Sequence, residues 1–182
     1  MAARRYVSPA DDNVIAYCGR ILATDPSNAK AIRLRKEGLT QATKQAEELT
    51  GKGRYDNARE VYQALLRLPK EDGLDQEDLT TKLKQVEFDS YPVVHDHFLG
   101  SCKGTLKINS YALSFVPSGG SKDGFSQRLF RIRIRLDDTL KIEANQQSYR
   151  FEAASSKNDR NRKAATRELH EKLSRRLPGS VG

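Results

Sequence analysis

The sequence contains no tryptophan, one methionine, three histidines and two cysteines among its 182 residues. It has no apolar run near the roughly 20 residues that a membrane-spanning helix requires. Its basic N-terminus leads into no apolar segment of the kind that secretory signals contain. Cys18 and Cys102 lie far apart, one in each half of the chain, so we expect free, buried thiols in a reducing compartment. These absences predict a cytoplasmic protein, and attachment at the periphery of a membrane stays open.

The sequence also lacks the motifs of enzymes. No nucleophile occupies an elbow motif, and Gly119-Gly120 stands between predicted antiparallel strands rather than before a helix, where a phosphate cradle would need it. Ser101 and Cys102 lie near His97 in the sequence, but no acid is placed to orient that histidine as a base. We therefore predict that the chain is not an enzyme and binds no cofactor.

Positive charge is concentrated in the second half of the chain. Residues 1–90 contain fifteen Lys and Arg against fifteen Asp and Glu, whereas residues 91–182 contain seventeen against nine. The net charge of +8 therefore belongs entirely to the second half. The spacing of apolar residues changes at Tyr91-Pro92, from the period of a helix to the alternation of a strand. The two changes together predict two domains, 8–88 and 92–177.

Four helices are predicted in the first half, from apolar residues at helical spacing and from local start and stop signals. Ser8-Pro9 followed by Asp11-Asp12 is typical of a helix start, because a hydroxyl cap, a proline and acids all favour a helix N-terminus. Asp75 is placed to cap the last helix. The predicted helices run from this start to Thr24, from a cap at Ser27 or Asn28 to a break at 51–53, over 55–66, and over 76–86.

The segments ILATDPSNAKA and GKGRYDNAREVYQALLRLPKED, within residues 9–72, resemble tetratricopeptide repeats. In such repeats a proline ends one helix and an Asn-x-x-Ala stretch opens the next. Small and aromatic residues then recur where Gly53, Tyr55, Ala58 and Tyr62 stand. The resemblance implies antiparallel helix pairs, stacked so that a concave face can bind peptides.

Two features depart from that repeat pattern. Pro26 and Pro69 are 43 residues apart, whereas the repeat is about 34 residues long, which predicts a second helix about three turns longer than usual. The first helix also has no preceding partner helix within this chain. A homo-oligomer formed through this unpaired helix is one open interpretation, and helices that only pack against the β domain are another.

The second half predicts about six antiparallel strands followed by a helix, because apolar and polar residues alternate from Val93 to Ala153. Apolar residues between Phe125 and Leu136 alternate with Arg131, Arg133 and Arg135. This pattern predicts that the three arginines lie on one strand. Turns are predicted at Asn109-Ser110, Asp137-Asp138 and Asn145-Gln146-Gln147, a flexible loop at 118–124, and an amphipathic helix at about 158–176.

This order, with the stretches GTLKINSYALSFVPS, DGFSQRLFRIRI and LKIEANQQSYRFEAA, resembles the pleckstrin-homology superfamily and its GRAM-type branch over about residues 93–176. The resemblance implies a β-barrel plugged by the C-terminal helix, and a module that binds phosphoinositide headgroups, peptides or proteins. Phosphoinositide binders of the superfamily carry a Lys-x-Arg pair in the first hairpin. The nearest residues here are Lys103 and Lys107, which are four apart rather than two.

A basic row on the sheet is the candidate binding site for an anionic partner. Side chains on one strand face repeat at about 7 Å, and neighbouring strands could add Lys141 and Arg150. Such a face attracts lipid phosphates, nucleic acid or an acidic protein, or only keeps a sheet edge soluble. No aromatic residue interleaves the row, so nucleic acid is the least favoured partner. The candidate residues are Arg131, Arg133, Arg135, Lys103 and Lys107.

His95 and His97 are two apart on a predicted strand, so both rings point to the same side, and Cys102 could supply a third ligand if the chain folds back at Gly100. Against this, Cys102 falls in the inward-facing register, and His170 lies on the terminal helix. A zinc site needs a complete and rigid ligand set. We therefore predict no metal site, and leave binding by His95, His97 and Cys102 as an open question.

The predicted fold class is α+β: short tetratricopeptide-like helical hairpins, then a pleckstrin-homology-like antiparallel β-barrel capped by a C-terminal helix. The predicted function is that of a non-catalytic adaptor that mediates protein–protein interaction. The alternative is a peripheral module that binds anionic phospholipid headgroups through its basic β face.

Overall fold

A computed structural model of the chain describes residues 6–7, 12–97, 100–119, 122–154 and 159–177. The chain forms two compact units, which divide between Glu87 and Phe88. The first unit is helical and the second consists of a sheet and a helix. That these units are independent domains with the bounds 8–88 and 92–177 stays a prediction.

In the described residues the helical unit contains four α-helices, each packed against the next in the sequence. Asn13, Asn28 and Asp75 each cap a helix by accepting a hydrogen bond from a backbone N–H three residues on. The first helix therefore begins after Asn13, and Ser8, Pro9 and Asp11 lie outside the described residues. The helices are α1 (Val14–Thr24), α2 (Ala29–Gly51), α3 (Tyr55–Leu66) and α4 (Gln76–Val86).

The long second helix is confirmed, since α2 is continuous over 23 residues. Its buried face is built mainly from small residues, among them Ala31, Gly38, Ala42 and Ala46. Such a face lets neighbouring helices approach closely. The tetratricopeptide resemblance itself is not confirmed and stays a prediction.

An ion pair ties the 3-10 turn at Lys70–Asp72 to α2. Arg35 donates Nε and Nη2 to the two carboxylate oxygens of Asp72, at 2.6 and 2.7 Å. Its Nη1 donates to the carbonyl oxygen of Ile15 at 3.3 Å. The two side chains are only 16% and 10% exposed, and the Asp72 carboxylate raises the pKa of Arg35. One guanidinium thus joins α1, α2 and the chain that follows α3.

As far as the structure describes it, the second unit is a seven-stranded antiparallel sheet with one C-terminal helix. The strand order is β4-β3-β2-β1-β7-β6-β5, so β1 lies in the middle and β4 and β5 are the edges. The elements are β1 (Asp89–His97), β2 (Gly100–Ile108), β3 (Ala112–Pro117), β4 (Phe125–Arg128), β5 (Arg133–Leu136), β6 (Leu140–Ala144), β7 (Gln147–Ala153) and α5 (Asp159–Ser174). The predicted α+β class, with a helical segment followed by antiparallel strands and a C-terminal helix, is confirmed. The pleckstrin-homology resemblance stays a prediction.

Apolar residues from the inward face of the sheet and from α5 form one core. Leu169 and Leu173 of α5 are buried in it, and the hydroxyl of Thr166 accepts a hydrogen bond from the backbone N–H of Ala153 at 3.0 Å. The helix contacts β5, β6 and β7. None of the helices in the described part of the chain is long and apolar enough to span a membrane.

Two local predictions are wrong. Strand alternation was predicted from Val93 onward, but β1 already begins at Asp89. The alternating segment up to Leu136 is not one strand: the 3-10 turn Leu129–Arg131 divides it into β4 and β5. The backbone N–H of Leu129 donates to the carbonyl oxygen of Tyr111, and the leucine side chain is buried. This long-range anchor turns the chain from one edge of the sheet to the other.

The predicted turns are confirmed at the β2–β3 and β6–β7 hairpins, although Gln147 of the second turn already belongs to β7. Asn109 is fully buried, and its Oδ1 accepts the backbone N–H groups of Tyr111 and Ala112 at 2.9 Å each. Asn145 and Gln146 both have positive φ, 52° and 64°. Positive φ at both central residues is the backbone of a two-residue hairpin turn.

Candidate functional site

The five predicted basic residues do not form one row. Arg133 and Arg135 are exposed on β5, at one edge of the sheet. Arg131 belongs to the 3-10 turn, where its guanidinium carbon lies 5.5 Å from the centroid of the Phe130 ring. Lys103 and Lys107 lie on β2, and three strands separate β2 from β5. At about 4.8 Å between neighbouring strands, the two groups are about 19 Å apart along the sheet.

The register instead assembles a different basic group, which we call the basic ladder: Arg135, Lys141 and Arg150. Arg135 lies directly opposite Lys141, and Lys141 lies directly opposite Arg150. The ladder thus crosses β5, β6 and β7 on the outward face of the sheet. Like charges placed directly opposite one another destabilise a sheet. An anion bound on this face would relieve that repulsion.

Acidic residues limit the extent of the basic ladder. Asp96 lies opposite Arg150 and Glu143 lies opposite Arg133. The ammonium of Lys141 pairs with Asp137 at 2.6 Å, which lowers the pKa of that carboxyl group. The sequence analysis named Lys141 and Arg150 as possible additions. The alternation of apolar and polar residues in β6 and β7 indicated that both side chains face outward. Alternation alone did not show which residues of neighbouring strands would lie opposite one another.

The outer face of α1 is a second candidate surface. Tyr17 is 53% exposed, Ile21 45% and Val14 36%, and their spacing places them on one side of the helix. Arg20 is the one charged residue among the eleven of α1, whereas α2 has eight charged residues among 23. The Arg20 guanidinium stacks 4.3 Å above the centroid of the Tyr17 ring. We call Val14, Tyr17 and Ile21 the α1 stripe.

A third feature is a cluster of His95, His97 and Cys102, in which potential ligand atoms all lie within 4.8 Å of one another. His95 is directly opposite Cys102 in the β1–β2 pairing, and His95 Nδ1 is 3.8 Å from Cys102 Sγ. The two histidine rings meet edge to face, with centroids 4.4 Å apart. Cys102 was predicted to face inward, and this counted against a metal site. In the structure both histidines lie on the same face of the sheet as Cys102, so the three side chains meet.

The cluster is partly enclosed. His95 is 6% exposed and packs against Phe115, Tyr149 and Phe151, with ring centroids 5.0–5.5 Å away. Burial, and then the neighbouring His97, lower the pKa of His95. His97 is half-buried, and its Nδ1 lies 3.6 Å from the Asp123 carboxylate. Cys18, the other thiol, is buried in the helical unit.

Comparison with known proteins places the chain in no family. No family model matches it, and no curated protein matches it. Similar solved structures include the DH/PH domains of p115-RhoGEF, at 8% identity over 91% of this chain and 67% of that chain, with a TM-score of 0.41. The DH/PH domains of PDZ-RhoGEF in complex with GTP-gamma-S activated RhoA have 12% identity over 96% and 72%, with a TM-score of 0.37. The DH/PH domain of human ARHGEF11, with human RhoA and its inhibitor, has 9% identity over 89% and 67%, with a TM-score of 0.36.

Proposed function

We propose that the chain is a non-catalytic binding module whose helical unit docks on a partner protein through the α1 stripe. The observation that carries this proposal is the exposure of three large apolar side chains on the least charged helix of the unit. Exposed apolar residues scattered singly are ordinary, but an aligned set on one helix face favours an interaction site.

The partner is an amphipathic helix of another protein, laid along α1. Within the described residues, α2 and α3 each pack extensively against two helices, whereas α1 packs extensively against α2. A partner helix with apolar residues at i, i+3 and i+7 would pack its apolar face against the α1 stripe.

Affinity capture with matched variants tests this proposal. The baits are the full chain, a Tyr17→Ser/Ile21→Ser double variant, and a Phe130→Ser control, since Phe130 is 65% exposed but lies in the other unit. We expect a protein that binds the full chain and the control and is lost with the double variant, followed by direct titration of that purified protein. Equal capture by all three baits contradicts the proposal. A concentration-dependent dimer in light scattering, lost only with the double variant, would identify a second copy as the occupant instead.

The basic ladder favours one alternative, a peripheral module that binds an anionic membrane surface. Each Lys or Arg near an anionic bilayer contributes about 1 kcal/mol, so removing two charges should weaken binding about 30-fold. The assay is co-sedimentation with phosphatidylcholine vesicles, with and without phosphatidylserine, at low and physiological salt. The variant is Arg135→Gln/Arg150→Gln and the matched control is Lys103→Gln/Lys107→Gln on β2. Binding that ignores phosphatidylserine, or equal loss with both variants, would eliminate the basic ladder as the contact.

A further inference from the structure

We propose that His95, His97 and Cys102 together bind one zinc ion. Among the residues that the structure describes, these three form the group of His, Cys, Asp and Glu side chains that is close enough to hold a metal. Two imidazole nitrogens and a thiolate are ligands that zinc prefers. Magnesium and calcium require oxygen ligands, so this donor set does not suit them.

The distances are close to those of a zinc site. Tetrahedral zinc with Zn–S near 2.3 Å and Zn–N near 2.0–2.1 Å places the sulfur and nitrogen about 3.6 Å apart. The observed separation of Cys102 Sγ from His95 Nδ1 is 3.8 Å. The largest separation in the set is at most 4.8 Å. A displacement of about 1 Å in the ligand atom of the half-buried His97 would bring the set to tetrahedral separations.

The backbone already holds the three ligands in place. Cys102 is directly opposite His95 in the antiparallel ladder, and His97 follows on the same face of β1 two residues later. His97 is paired with Gly100 at the end of the β1–β2 ladder. Gly100 has a φ of +112°, which side chains other than hydrogen rarely allow. Two adjacent strands thus present two ligands from β1 and one from β2, which gives the rigidity that a zinc site needs.

The surroundings also suit a bound metal. Phe115, Tyr149 and Phe151 form an aromatic wall on one side of His95, and an apolar shell on one side of a metal limits solvent access there and lowers the local dielectric constant. Asp123 faces His97 Nδ1 at 3.6 Å. A carboxylate beside one ring nitrogen orients the histidine and leaves the other nitrogen, Nε2, for the metal. The fourth tetrahedral position is then open to water.

The competing explanation is that the buried His95 only packs against its aromatic neighbours and the thiol. The two explanations make different predictions about zinc binding. If His95 only packs, the purified chain binds no stoichiometric zinc. Replacing Cys102 then has no more effect on zinc uptake than replacing Cys18.

The chain supplies matched controls for the test, because it has one further cysteine and one further histidine outside the cluster, Cys18 and His170. The full chain, Cys102→Ser, His97→Asn, Cys18→Ser and His170→Asn are purified without chelators. Each is then titrated with zinc against a chromophoric chelator, and separately with cobalt. Circular dichroism shows whether each variant is folded.

We expect about one zinc per chain in the full chain and in the two controls, and loss of at least about 100-fold in affinity for the two cluster variants. Cobalt should give a thiolate charge-transfer band in the full chain and in Cys18→Ser, but not in Cys102→Ser. Asp123→Asn should weaken zinc binding about 10-fold to 100-fold, as loss of an outer carboxylate does.

Three results would overturn the proposal. The first is a full chain that takes up no zinc in the titration while it is folded. The second is zinc binding that Cys102→Ser and His97→Asn leave unchanged. The third is a cobalt spectrum without the thiolate band. If Cys102→Ser fails to fold, the cobalt band of the folded Cys18→Ser chain still decides whether Cys102 is a ligand.

Discussion

Replacing Gly104 by alanine should destabilise the β unit, because no space exists for the added methyl group. Gly104 is buried on the inward face of β2, between Val93 of β1 and Pro117 of β3. A Cβ atom there would lie 2.3 Å from Cε2 and 2.6 Å from Cζ of Phe115, and 2.7 Å from the carbonyl oxygen of Val116. Carbon atoms rest about 3.5–4.0 Å apart, so the ring would have to withdraw by about 1 Å or more.

The magnitude follows from what surrounds that ring. Phe115 is 2% exposed, and its ring centroid lies 4.9 Å from that of Phe151, so the core has no room to receive it. Overpacking a core costs about 1–3 kcal/mol, and the contact with the β3 backbone favours the upper end. Alanine also restricts the unfolded chain, which returns about 0.4–1 kcal/mol. We expect a net loss of about 2 kcal/mol in the free energy of unfolding.

Urea unfolding followed by circular dichroism measures this loss, and Gly51→Ala is the control. A Cβ atom at Gly51, the last residue of α2, meets nothing within 4 Å, so that change should be neutral or stabilise by up to about 1 kcal/mol. A second substitution, Phe115→Leu, should recover part of the loss in Gly104→Ala if the ring is the obstacle. A Gly104→Ala chain within about 0.5 kcal/mol of the original would refute the packing argument.

Three further changes test individual contacts by the same unfolding assay. Asp72→Asn leaves the largely buried Arg35 without its carboxylate and should cost about 2–3 kcal/mol, somewhat below the range for fully buried pairs; an unchanged urea midpoint would contradict this. Asn109→Ala removes the acceptor of two turn N–H groups and should cost about 1–3 kcal/mol, whereas Asn109→Asp should retain most of that stability. Thr166→Val removes the hydroxyl that accepts the Ala153 N–H and should cost about 1–2 kcal/mol, with faster hydrogen exchange at that amide as the specific sign.

Most helix boundaries could be predicted because their signals are local. A capping side chain such as that of Asn28 or Asp75 bonds a backbone N–H three residues away. A glycine-containing break such as 51–53 ends the helix at the residues where it occurs. The hairpin turn at Asn145 is equally local, since positive φ depends on a few neighbouring residues. The start of α1 was missed because two suitable caps, Ser8 and Asn13, precede the same apolar stretch.

The division between β4 and β5 could not be predicted from alternation. The apolar and basic residues continue to alternate through it, but the backbone N–H of Leu129 bonds to Tyr111, eighteen positions earlier. Nothing within the segment specifies that partner. The expectation that Arg131 would share a strand with Arg133 and Arg135 failed for this reason.

By itself the sequence determined the two kinds of unit, the helices, most of the strands and most of the residues that face each core, because backbone preference and hydrophobic period act over a few residues. Only the tertiary structure decided which side chains meet. Strand order separated Lys103 from Arg135, and strand pairing placed Lys141 opposite Arg135 and Arg150 opposite Lys141. Hairpin register set Cys102 opposite His95. Both outcomes depend on pairing between strands, and a shift of one residue in that pairing would turn each of these side chains to the other face of the sheet.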